Sequence, residues 1–160
     1  MYQCPSCHYV ITMGWFDRYG QGDLADMCFP EAEQVDRDLP ERAREYLRQA
    51  MESPPAPAVM AAASSVDSML KAKGLKDGSL CARIEQAAKD HLITEGMKEW
   101  AHQVRLDAND QRHSDDNAPL PTADEAKRAV EFAKALGKFL FTLPAMVQRG
   151  LQPTKASKPN

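Results

Sequence analysis

The sequence predicts an all-α fold, a bundle of about five helices behind an irregular N-terminal arm. Three observations carry that expectation. Apolar residues recur at helical spacing in successive stretches, and proline, glycine and capping residues punctuate the chain where those stretches begin and end. Convincing strand alternation is absent beyond the arm. The expected organisation is a cysteine-containing arm over 1–38, a helical bundle over 39–149 and a disordered tail over 150–160.

The arm is broken by Gly14, Gly20 and Gly22 and holds no sustained period. Cys4-Pro5-Ser6-Cys7 has the tight C-x-x-C spacing that presents two thiolates to one zinc ion. A structural zinc takes four ligands; Cys28 is the third candidate, and His8 is a fourth that directly follows Cys7. A second C-x-x-C pair is missing, so a zinc site on Cys4, Cys7 and Cys28 stands beside a packed arm without metal. Trp15, Phe16 and Tyr19 offer faces on which bases could stack, or anchors that dock the arm.

The first helix follows Pro40, with Asp38 as a candidate cap, and carries Ala43, Tyr46, Leu47, Ala50 and Met51 until Ser53-Pro54-Pro55 stops it. Arg42, Arg44 and Arg48 alternate there with Glu41 and Glu45, a mixed solvated face. A second helix opens near Pro57, is rich in small residues that favour close packing, and ends at Gly74, which suits a left-handed stop. A third runs from about Ser79 to His91 with Leu80, Ile84, Ala87 and Ala88 inward, and Cys81 reads as a small buried hydrophobe. Thr94 is placed to cap a fourth, whose stripe is Met97, Trp100, Ala101, Val104 and Ala108, with Trp100 as a core anchor. After the loop HSDDNAPLP, Thr122 and Glu125 form a Thr-x-x-Glu capping box for the longest helix, and Pro144 is expected to end or kink that helix at Leu143.

Basic and acidic side chains nearly balance, 20 against 23, so the net charge of −3 supplies no reason to expect strong non-specific attraction to nucleic acid. No apolar run is long enough to span a bilayer, and the first residues lack a secretory layout, so a cytoplasmic protein without membrane contact is expected. Phosphate loops, nucleophile–base pairs and carboxylate clusters for metal-dependent hydrolysis are absent.

What stands out is VRLDANDQRH. Arg105, Asn109 and His113 recur every four residues, which on a helix spreads them over an arc of about 80 degrees beside the buried Val104 and Ala108. A guanidinium, an amide and an imidazole in a groove between helices can bind and polarise a phosphodiester. The alternative is structural: Arg105 pairs with Asp107 or Asp124, Asn109 caps the helix end, and His113 bonds the following loop.

From Leu39 onward the chain resembles the bacterial domain of unknown function 4145, a relative of the HEPN superfamily of helical domains. The resemblance is carried by Leu39-Pro40 with Tyr46 and Ala50, the small-residue helix ending near Gly74, the Leu80 to Ile84 helix, the Arg105-x-x-x-Asn109-x-x-x-His113 signature and the Thr122 to Ala126 opening. It implies a HEPN-like bundle, often a homodimer, working in bacterial and phage conflict systems. It further implies that Arg105 stabilises a phosphate, that His113 acts as acid or base, and that Asn109 orients them, as in the metal-independent ribonucleases of that superfamily. Catalytic members keep the arginine and histidine closer than the seven residues that separate them here, and Arg112 does not repair the spacing. Non-catalytic relatives bind RNA, nucleotide or a partner protein, and the wider spacing favours that group, with the dimeric ribonuclease as the alternative.

Overall fold

The computed structural model describes residues 34–112 and 120–151, together with the backbone of three short strands nearer the N-terminus. By its internal contacts the chain divides into two units, residues 1–34 and 35–160. In the first, β1 (Tyr2–Gln3), β2 (Val10–Met13) and β3 (Cys28–Phe29) form an antiparallel sheet in the order β1-β2-β3. The register pairs Tyr2 with Ile11 and Met13 with Cys28. These strands lie in the segment whose sequence reads as irregular; at two to four residues they are too short to show alternation.

The second unit is all-helical among its described residues: α1 (Glu41–Glu52), α2 (Pro55–Ala72), α3 (Leu80–Lys89), α4 (Glu95–Arg112), α5 (Ala123–Gly137) and α6 (Leu143–Leu151). Helix α2 is central and packs on α1, α4 and α5, while α3 packs on α4. Its small residues Ala58, Ala62, Ala63 and Ser65 are buried, and Ser65 Oγ donates to the Ala43 carbonyl of α1 at 2.7 Å, which satisfies a hydroxyl that burial would otherwise penalise. Phe132 of α5, fully buried with Leu47, Met69, Leu70 and Ile84, occupies the core.

Helix ends follow local chemistry. Thr122 Oγ1 accepts the Glu125 amide while the Glu125 carboxylate accepts the Thr122 amide, completing the capping box. Thr94 Oγ1 accepts the Met97 amide. Helix α2 ends as expected at Gly74, whose φ of +97° is left-handed, with the Leu75 amide donating to the Leu70 carbonyl. Helix α3 ends by the same motif with His91 in the left-handed position, φ +55°.

Four expectations need correction. Helix α1 is not capped by Asp38, because that carboxylate binds both terminal nitrogens of Arg149, each at 2.9 Å. Helix α2 opens two residues before Pro57, with Pro55 tolerated in a first turn whose amides need no intrahelical partner. Trp100 is 38% exposed and only laid against Phe132, ring centroids 5.1 Å apart. Finally, of the end or kink expected at Pro144, the helix shows no end there. A π-helical turn, Lys138–Thr142, joins α5 directly to α6, and the wider turn accommodates a ring that in regular α geometry would clash with the Leu140 carbonyl.

Candidate functional site

Helix α4 turns Ala101, Val104 and Ala108 into the core, and this register sets Arg105 and Asn109 along the edge of the stripe. Both line a groove of about 750 Å³ whose other walls come from α1, α2 and the turn that opens α3. His113, the third member of the series, lies outside the described residues, as do Cys4 and Cys7; Cys28 is described only as backbone in β3. Among the described residues no group of three or more histidine, cysteine or acidic side chains is arranged to hold a metal ion.

The groove is basic. Arg42, Lys71, Arg83 and Arg105 line it against one carboxylate, Asp67. Asp67 accepts from Lys71 Nζ at 2.6 Å and from Arg83 Nη1 at 3.0 Å, so one anion serves two cations. Arg42 has its guanidinium 5.8 Å from the centre of the Tyr46 ring and donates to the Tyr46 hydroxyl at 3.5 Å, which holds its pKa above the ordinary arginine value. On α2, Ser64 and Ser68 return their hydroxyls to the carbonyls of Met60 and Ser64, leaving that wall polar but satisfied.

Arg105 is different. Among the described residues it makes no ion pair and no hydrogen bond, and its Nε is buried without an acceptor. Neither Asp107 nor Asp124 pairs with it; Asp107 instead accepts from Gln103 Nε2 at 2.7 Å. Asn109 is exposed and stands inside α4, which runs on to Arg112, so it is not the residue that caps the helix. Arg83 shares the anomaly in part: its side chain is 10% exposed, and its buried Nε also lacks an acceptor. Buried donors in folded proteins are almost always satisfied, so these two enclosed arginine nitrogens, both on residues that line the groove, stand out.

Sequence reasoning missed Arg83, Lys71 and Asp67. A signal for Arg83 was present, because it stands with Leu80, Ile84 and Ala87 on the buried stripe of α3, an unusual place for a charge. Cys81 is half-buried on the groove wall rather than enclosed in the core. His91 is taken up by its left-handed helix stop, and His102 ties α4 to α3 through Glu85 at 2.8 Å.

Fold and site together define a helical bundle with a cationic groove between α1, α2, α3 and α4. The family model described as Domain of unknown function (DUF4145) matches residues 44–153, and the chain belongs to that family. The match takes in every helical residue that lines the groove except Arg42. No curated protein and no solved structure matches the chain.

Proposed function

We propose that this chain is a HEPN-like module that binds RNA through its phosphates in the Arg105 groove, as a cytoplasmic homodimer in a bacterial or phage conflict setting. The observation that carries the reading is the unpaired Arg105 guanidinium among four cations and one carboxylate. Arginine's planar fork matches two phosphate oxygens at once, and a groove with excess cations recovers the cost of their burial when a phosphate enters. The net charge of −3 makes this a local attraction, confined to one face. Asn109, exposed on the same wall, supplies an amide to a base or ribose edge.

Fluorescence anisotropy with an internally labelled single-stranded RNA tests it. The wild-type chain should bind, and Arg105→Ala should weaken binding about tenfold and reduce the slope of log affinity against log salt by roughly 0.7, the contribution of one phosphate contact. Absence of binding at low salt, or an unchanged Arg105→Ala variant, would overturn the reading. The same samples, kept in EDTA and run on a denaturing gel, address the ribonuclease alternative: cleavage that His113→Ala abolishes would convert the module into an enzyme.

For the N-terminal unit we propose zinc on Cys4, Cys7 and Cys28. Support comes from sequence and backbone together: the C-x-x-C pair falls between the paired strands β1 and β2, and Cys28 lies on β3, the neighbour of β2. Metal analysis of the purified chain should give about one zinc per chain, and less than half an equivalent would remove the proposal.

A further inference from the structure

We infer that the α3 end of the groove is a seat for a terminal phosphate, so that the ligand presents a phosphorylated RNA end rather than an internal stretch of chain. This inference rests on the RNA reading above and adds polarity to it.

The seat is built from the first turn of α3. Ser79 caps that helix with an extended backbone, φ −81° and ψ 167°; its hydroxyl accepts the Ala82 amide and its carbonyl the Arg83 amide. The amides of Leu80 and Cys81 are left without an acceptor among the described residues, and both residues line the groove. Open amides at a helix start also carry the positive end of its dipole. Before them Gly78, at φ +76°, brings the chain into the turn with no side chain to block the approach.

Independent support comes from Arg83 on the same turn. Asp67 fixes its guanidinium from one side through Nη1, while its buried Nε has no acceptor, so the fork is oriented without being saturated. Lys71 and Arg42 add two further cations from α2 and α1. A phosphomonoester suits this set better than a diester, because it carries nearly two charges and three free oxygens where an internal phosphate carries one charge and two. The groove volume of about 750 Å³ falls within the range of small-ligand sites, which leaves room for a nucleotide. Arg105 and Asn109, on the α4 wall, then meet the nucleotides that follow the seated end.

Competition against the labelled RNA, using the full chain, tests the seat. Three unlabelled competitors share one sequence: one with a 5′-phosphate, one with a 3′-phosphate and one with hydroxyls at both ends. One phosphorylated form should displace the probe at about a tenfold lower concentration than the hydroxyl form, and the end that does so identifies which terminus is seated. Leu80→Pro should erase that advantage. The proline removes one amide that has no intrahelical acceptor, the extended Ser79 backbone accepts a following proline, and circular dichroism should show an unaltered helix content. Arg83→Lys, which keeps the charge and loses the fork, should also reduce the advantage. Three competitors of equal strength would overturn the inference and leave the RNA reading standing; failure of the wild type to bind any RNA would overturn both.

Discussion

Where the segment before α1 meets the last helical rod, side chains are matched: Arg149 forks onto both oxygens of Asp38, Thr142 donates to Asp36 at 2.7 Å, and Leu39 occupies the space left open at Gly137. The groove is the reverse. Arg105 has no acceptor among the described residues, Arg83 keeps an open Nε, and Asp67 is shared by two cations. Both regions use arginine, aspartate and hydroxyl side chains, so residue type alone does not separate a structural seam from a binding surface. Satisfaction does: the seam closes its hydrogen bonds within the chain, and the groove holds two arginine Nε atoms without an acceptor among the described residues.

The comparison breaks most visibly if the seam proves dispensable. Leu39 is buried at 5% exposure, and its methyls would lie 2.8 to 3.3 Å from a Cβ placed on Gly137. Leu39→Ala should therefore cost about 2–4 kcal/mol in urea unfolding while leaving RNA affinity unchanged under native conditions. A cost below about 1 kcal/mol would mean that the site collapses around the missing side chain and that the seam does not hold the rod. A smaller effect is expected at Thr142, 8% exposed, where Thr142→Val removes a hydrogen bond to a carboxylate and should cost about 1 kcal/mol.

Acid should loosen the seam only once the pH falls below the ordinary carboxylate range. The hydrogen bond from Arg149 holds the Asp38 carboxyl below its ordinary range, against a smaller upward push from burial. The Glu125 carboxyl is lowered in the same sense by the Thr122 amide and hydroxyl of its capping box. Because these folded-state values lie below the unfolded ones, their stabilisation is complete above about pH 4.5 and is lost as the pH falls through the folded values. Thermal melts at stepped acid pH should show this decline, and Asp38→Asn should flatten part of it; an identical acid limb in the variant would show that the ion pair adds nothing.

Much of the bundle was legible because its signals are local. The Thr122 and Glu125 capping box, the left-handed Gly74 and the four-residue spacing of Arg105 and Asn109 each depend on one helix and its ends. What was illegible depends on other elements. Arg42 read as part of a solvated face because Arg44 and Arg48 share its helix, yet Arg48 pairs with Glu45 and Glu52 whereas Arg42 turns to Tyr46 and the groove. Only the packing of α1, α3 and α4 around α2 decides that difference. Pro144 misled for another reason: its effect on the helix depends on whether the preceding turn can widen, and a π-helical turn satisfies that need without breaking the rod.

The smallest expected change in stability is the most informative about the groove. Arg105→Met keeps the length and the apolar stem that lies beside Val104 and Ala108, and it removes a buried Nε for which no acceptor is present among the described residues. If Arg105 were part of the scaffold, losing it would strand a partner and lower the melting temperature. No partner is there to strand among the described residues, so thermal unfolding should be unchanged or gain up to about 1 kcal/mol, as happens when an uncompensated polar group is withdrawn from a folded chain. RNA affinity should fall at the same time. A variant that melts several degrees lower would place Arg105 among the structural residues, together with Arg149, and would take from the groove its strongest claim to a ligand.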